Sequence, residues 1–181
     1  MKHLIEKEIA SEQKYKGTLI EVTRDTVELP NGKTSGRDVV HHPGAVAVVA
    51  VTEDAELVLV RQFRQPVKTV TLEIPAGVPR PGEDGAETAK RELEEETGFR
   101  AAKVEKVFEG YTSPGYSDEV LRFYWATDLQ MMKPNPDDDE FVEVELIDLE
   151  ACGDLLHAGK IKDNKTMLGI MIAEKYLKGD L

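Results

Sequence analysis

The segment Gly77–Phe99, GVPRPGEDGAETAKRELEEETGF, constrains the fold more than any other stretch of the chain. It spells out a helix with both ends marked. Asp84 is suited to cap the first turn, and Glu87, three residues on, can return the bond as a capping box. Gly98 stands where a left-handed residue ends a helix. At about 100° per residue, Ala86, Ala89, Leu93 and Thr97 share a stripe about 80° wide that should face a core. Glu92, Glu95 and Glu96 fall in a separate arc, about 100° wide, beside that stripe. Glu87 and Glu94 lie on the other side near Lys90 and Arg91, where Glu87 can pair with these bases in the ordinary solvated way. The three arc glutamates have only Arg91 and Arg100 as nearby bases. Two readings follow: a solvated acidic face, or a site for a hard divalent cation such as Mg²⁺ or Mn²⁺. Such cations prefer oxygen ligands and would offset the repulsion.

Strands surround this helix. The run AVAVVAV, Ala45–Val51, reads as a strand buried on both faces, with Glu56–Phe63 as its neighbour after a turn at Thr52–Ala55. Val70–Ile74 is a third strand, ended by Pro75. Val104–Glu109, Val120–Thr127 and Phe141–Ile147 complete this set. Asp148–His157 and Asp163–Leu177 read as helices packed on a sheet. Upstream, Thr18–Thr23, Thr26–Leu29 and Arg37–His42 read as strands, with a turn at Pro30-Asn31-Gly32. The fold expected is α/β, an α/β/α sandwich with a mixed sheet, preceded by a small N-terminal antiparallel sheet. Residues 1–43 form the N-terminal subdomain in this reading and residues 44–181 the main domain. The first 43 residues have no helix to cover them, so their sheet needs another surface, and a second subunit is the expectation.

Composition narrows the function. The 181 residues carry 35 acids against 23 bases, a formal net charge of −12. That argues against a nucleic-acid or anionic-membrane binder, which needs a basic face. Hydrophobic residues at 40% and charged residues at 32% fit a globular protein. The seven-residue apolar run is far short of the roughly 20 residues that span a bilayer. The N-terminus has no secretory pattern, and a lone Cys152 leaves no disulfide within the chain. A cytoplasmic location is expected.

The wider segment resembles the Nudix box, G-x5-E-x7-R-E-U-x-E-E-x-G-U, without a departure. The matching residues are Gly77, Glu83, Arg91, Glu92, Leu93, Glu95, Glu96, Gly98 and Phe99. A chance match is on the order of 10⁻⁸ per window. The resemblance outweighs the reading of a plain solvated face. It implies hydrolysis of a nucleoside diphosphate linked to another group, with divalent ions bridging the phosphates. It assigns Glu92, Glu95 and Glu96 to metal, with the Ala76 carbonyl as a further ligand. Arg91 and Glu83 would position these carboxylates.

Three further features resemble the ADP-ribose pyrophosphatase branch. LEIPAG, Leu72–Gly77, enters the box. YTSPGYSDE, Tyr111–Glu119, places Pro114 fifteen residues beyond Phe99. The arrangement PNGK…RDVVHHPGAV precedes the box. The branch implies a metal-dependent cleavage of ADP-ribose to AMP and ribose 5-phosphate by a homodimer that exchanges its N-terminal sheets. Ser113, Gly115 and Glu119 become candidate substrate contacts, as do Arg64, Arg37 and, more loosely, Thr18 and Leu19. Arginines suit phosphates and stack on adenine. The base lies in PNPDDDEFVEV, where Glu140 ranks first and Asp138 second among four acids, with Glu140 also a possible metal ligand. Glu95 and Arg91 complete the expected catalytic set. The rivals are other nucleoside diphosphate sugars, such as GDP-mannose or ADP-glucose, and a regulator that binds a nucleotide without hydrolysis.

Overall fold

The structure is a computed structural model, and it describes residues 1–132 and 141–179. The chain divides into two compact units, Met1–Ala45 with Glu109–Leu121, and Val46–Phe108 with Arg122–Leu181.

In the first unit, β1 (Lys7–Lys16), β2 (Glu21–Glu28) and β3 (Thr34–His41) form an antiparallel sheet in the order β1-β2-β3. The turn read at Pro30-Asn31-Gly32 joins β2 to β3. Gly32 takes φ 77°, Leu29 N–H donates to Lys33 O at 2.7 Å, and Asn31 Oδ1 accepts from Lys33 N–H at 3.0 Å. The sequence reading splits this region into strands at Thr18–Thr23 and Thr26–Leu29. The structure has one strand from Glu21 to Glu28, with Thr18 and Leu19 in the turn before it. β1 is missing from that reading for a physical reason. All ten of its residues are exposed, so its sequence has no alternation to betray it. β2 does alternate: Thr23, Asp25 and Val27 are buried while Arg24, Thr26 and Glu28 are exposed. Residues 112–119 attach to β3, with Val40 N–H donating to Tyr116 O at 2.7 Å and Asp118 N–H to Val40 O at 3.2 Å.

The second unit holds the main core. β4 (Ala45–Ala50) lies between β7 (Ala76–Gly77) and β9 (Val120–Met131), with β8 (Phe99–Tyr111) outside β9. β5 (Glu56–Arg64) lies between β10 (Val142–Asp148) and β6 (Thr69–Glu73) in a second sheet. Three helices accompany them: α1 (Gly85–Thr97), α2 (Leu149–His157) and α3 (Asn164–Lys178). β4 is buried on both faces, as its apolar run requires. Val46, Val48 and Ala50 pack with Ala89 and Leu93 of α1 and with Tyr124 and Ala126 of β9. Val49, on the other face, approaches α3. A Cβ added at Gly169 would sit 2.9 Å from Ile74 Cδ1 and 3.5 Å from Val49 Cγ2, so glycine permits that contact. No described helix is long and apolar enough to cross a membrane.

Candidate active site

The ends of α1 are fixed as the sequence indicates. Asp84 Oδ1 accepts from Ala86 N–H and Glu87 N–H, both at 2.8 Å, and Glu87 Oε2 accepts from Asp84 N–H at 3.2 Å. Gly98, at φ 75°, donates its N–H to Glu94 O at 2.9 Å. With both ends capped and Ala89 and Leu93 in the core, the helix cannot rotate, and its acids are held in place. Glu92 is 7% exposed and Glu96 is 2% exposed, an unusual depth for carboxylates.

Two devices hold these acids. The first is a close approach: a Cβ at Gly77 would lie 2.0 Å from Glu92 Oε1, so only glycine leaves room for that carboxylate. Next to it, Ala76 N–H donates to Glu96 Oε2 at 3.3 Å. The second is Arg91, which uses all of its donors. Nε and Nη2 grip Glu83 at 2.8 and 2.9 Å. Nη1 reaches Glu92 Oε1 at 2.7 Å and Glu95 Oε2 at 2.8 Å, and Nη2 also meets Val78 O at 3.1 Å. Arg80 adds a bond to Glu95 Oε1 at 3.2 Å. Arg91, helped by Arg80 N–H and Thr88, holds the Glu83 carboxyl at about 2, well below its ordinary 4.5. Glu83 in turn is the largest cause of the raised Arg91 pKa. Glu87 closes the capping box as the sequence reading expects, but the pairing of Glu87 with Arg91 is not seen: Arg91 turns to the acid arc, and Glu94 pairs with Arg100 at 2.7 Å.

The donor set suits a hard cation. Glu83, Glu92 and Glu95 share Arg91, with Arg80 also on Glu95, and the buried Glu96 adds a fourth carboxylate on the same stretch, an oxygen-rich set of the kind hard cations prefer. The room beside Gly77 is filled by a carboxylate and not by apolar atoms. Among the described residues, no three acidic, histidine or cysteine side chains are already gathered as a closed cation cage. Arg91 holds oxygens of Glu92 and Glu95 that such a cage would use.

The other predicted residues fall into separate settings. Arg64, at the end of β5, forms a bidentate pair with Glu73: Nε to Oε1 at 2.9 Å and Nη2 to Oε2 at 2.6 Å. Lys165 of α3 and Thr71 also donate to Glu73. In the first unit, Arg37 pairs with Glu6 and bonds Ser35 Oγ at 3.0 Å. Leu19 is half exposed in the β1–β2 turn, next to Thr18. Ser113 O accepts from Tyr116 N–H at 3.1 Å and Ser117 N–H at 2.9 Å, a tight turn that contains Gly115. Glu119 accepts from Thr112 Oγ1 at 2.7 Å and lies 3.5 Å from His42 Nδ1. Asp138 and Glu140 lie outside the described residues.

Sequence reasoning missed Glu73, Lys165, Arg80 and the histidine pair. Asp118 bonds His41 Nδ1 at 2.7 Å and His42 N–H at 2.9 Å, and His41 Nε2 lies 3.1 Å from Thr23 Oγ1. Glu73 had a signal, a charge at the end of an otherwise β-branched and apolar strand. Lys165 had none, because its partner is 92 residues away.

A capped acidic helix set against a glycine turn on an α/β frame defines a class: oxygen-rich sites built to work with a bound cation. Comparison with known proteins narrows it. A model of the NUDIX domain matches residues 41–168, and one of the nucleoside diphosphate sugar hydrolase N-terminal domain matches residues 6–40. An ADP-ribose pyrophosphatase of Bacillus subtilis (strain 168) is 46% identical over 172 residues, covering 94% of this chain and 93% of the relative. A methanol dehydrogenase activator of Bacillus methanolicus is 42% identical over 168 residues, covering 91% and 90%. The crystal structure of an ADP compounds hydrolase superposes with a TM-score of 0.85 at 23% identity, over 96% of this chain and 95% of that one, which shows the shared fold. The chain belongs to the Nudix family and is a hydrolase of that family. Such hydrolases generally require a divalent metal ion.

Proposed function

We propose that this hydrolase cleaves the pyrophosphate of ADP-ribose, giving AMP and ribose 5-phosphate. The observation that carries the reading is the buried pair Glu92 and Glu96, set beside Gly77 and organised by Arg91. The likeness to the Bacillus subtilis ADP-ribose pyrophosphatase supports the substrate. A divalent ion, Mg²⁺ before Mn²⁺, supplies charge neutralisation at the phosphates and an activated water when bound. Glu92, Glu95, Glu96 and the Ala76 carbonyl are its proposed ligands, with Glu140 as a further one. Arg91 keeps Glu92 and Glu95 oriented, and Glu83 keeps Arg91 oriented.

In the reaction a water oxygen bonds to phosphorus and the bridging P–O bond breaks. The water proton passes to one carboxylate, with Glu140 the leading candidate for that base and Asp138 the alternative. Arg64 is the proposed phosphate contact in the second unit. Arg37, Thr18, Leu19, Ser113, Gly115 and Glu119 are proposed substrate contacts in the first. Residues 1–43 and 44–181 are the proposed domains, and the change of family model at residues 40 and 41 supports that division. The protein is proposed to be a cytoplasmic homodimer paired through the N-terminal sheet. β1, an edge strand exposed along its whole length with Ile9 and Tyr15 uncovered, supports that pairing.

The test is monophosphate release from ADP-ribose, ADP-glucose, GDP-mannose, NADH and a nucleoside triphosphate, with Mg²⁺ present and absent. Metal-dependent turnover with the highest kcat/KM on ADP-ribose is expected. A higher value on another member would reassign the substrate. Tight ADP-ribose binding without any turnover would replace the enzyme reading by a regulator.

A further inference from the structure

Glu73 ends β6 and is 2% exposed, yet it carries a charge that no apolar core would keep without cause. Both of its oxygens are doubly engaged. Oε1 accepts from Arg64 Nε at 2.9 Å and from Thr71 Oγ1, and Oε2 accepts from Arg64 Nη2 at 2.6 Å and from Lys165 Nζ. Burial works to raise its pKa, but Arg64, Lys165 and Thr71 overcome this and hold it at about 2. The anchor is tied further back. Lys165 Nζ meets Asp163 Oδ2 at 3.0 Å, Asp163 caps α3 through Thr166, and Thr166 Oγ1 accepts from Ile74 N–H at 2.8 Å.

The pair is asymmetric. Glu73 is sealed, whereas 40% of the Arg64 side chain is exposed. In the β5–β6 register Arg64 faces Thr69 and Glu73 faces Val60. The guanidinium therefore lies back along its own strand, on the face that also carries Gln62. Its bond to Glu73 uses Nε and Nη2 and leaves Nη1 outside the pair. On the same face, Gln62 Oε1 is buried without a hydrogen-bond partner among the described residues. Arg64 also feels the charge of Glu96. A rigid cation thus faces outward from a buried carboxylate, close enough to the acidic helix to sense it.

We propose that Glu73 is a positioning residue for hydrolysis: it fixes Arg64 from behind so that the guanidinium meets a phosphate oxygen of the substrate. This rests on the diphosphate-hydrolase reading above. Glu73 itself touches no substrate. Its effect should therefore exist only while Arg64 is present, and it should appear in substrate affinity more than in turnover.

The experiment is a double-substitution cycle on the full chain with ADP-ribose and saturating Mg²⁺, comparing wild type, Glu73→Gln, Arg64→Ala and the double variant. Glu73→Gln should raise KM at least tenfold with kcat within threefold and the Mg²⁺ activation curve unmoved. Arg64→Ala should raise KM as much or more, and adding Glu73→Gln to it should change KM by less than twofold. Glu73→Asp keeps the buried charge but shortens its reach, and serves if Glu73→Gln does not fold. It should raise KM at least threefold, again only in the Arg64 background. A wild-type KM in Glu73→Asp, or equal KM increases with and without Arg64, would overturn the proposal while leaving the function intact. A wild-type protein that turns over no diphosphate at all would overturn the function and this proposal with it.

Discussion

The acidic side of α1 and the end of the β5–β6 hairpin are electrostatic opposites. At α1, Glu92 and Glu95 of the helix and Glu83 of the preceding loop gather on Arg91, and the buried Glu96 lies one residue beyond Glu95. At the hairpin, Arg64 and Lys165 converge on a single carboxylate, Glu73. Each cluster contains buried charge, Glu92 and Glu96 on the helix and Glu73 at the hairpin, and burying charge is favourable only when it is well partnered. The difference is in what remains to be supplied. In the proposed function the helix carboxylates receive a cation and the Arg64 guanidinium, held by Glu73, receives an anion. A metal-bound diphosphate would supply both, which a solvated acidic face or a purely structural ion pair would not require.

The contrast can be broken most severely at the helix. Glu96→Gln should cut kcat by about 100-fold or more, since a bound metal supplies several kcal/mol of transition-state stabilisation. Its circular dichroism and melting temperature should stay close to wild type, and steady-state turnover on ADP-ribose reads the loss. Gly77→Ala comes next. The new Cβ would sit 2.0 Å from Glu92 Oε1 and displace that carboxylate. A fall in kcat of roughly tenfold, with more Mg²⁺ needed for half-activation, is expected from disturbing a ligand's support. A metal titration of both proteins checks it.

Acid reaches both clusters, and a substitution at Glu73 isolates the hairpin's share. The Glu73 carboxyl is lowered in the folded chain from 4.5 to about 2, with burial opposing and Arg64 and Lys165 prevailing. A lowered carboxylate pKa stabilises the fold fully above the unfolded value. That stability, a few kcal/mol, is lost as pH falls from about 4.5 towards about 2. Urea unfolding between pH 6 and pH 2.5 should show this loss in wild type. Glu73→Gln should remove the Glu73 share and make the profile shallower, leaving the part due to Glu83, which is also held at about 2. The smallest effect belongs to the exposed pair His41–Asp118 at 2.7 Å. His41→Ala should change stability by at most about 1 kcal/mol, because solvent screens such pairs. Thermal melting measures it.

Much of α1 was legible because helix ends have local signatures. Asp84, Glu87 and Gly98 are all within reach of their own partners in sequence, and the apolar stripe follows from a fixed period. β4 was legible from its uninterrupted apolar run. β1 was not, because an exposed edge strand rich in charge obeys no alternation. The Arg91 network was half visible. Its proximity to the acids followed from the helix, but the grip on Glu83 depends on the path of the preceding loop. Glu73, Lys165 and Arg64 could not be joined from sequence, since strand register and the docking of α3 bring them together. Pairing Arg37 with Glu6 likewise needs the first unit folded.

The most direct test of the central claim is AMP release from ADP-ribose by wild type and Glu96→Gln across a Mg²⁺ titration. The account predicts no turnover without metal, saturable activation in wild type, and activity lower by about 100-fold in the variant at every Mg²⁺ concentration. Turnover in Glu96→Gln within a few fold of wild type would contradict it.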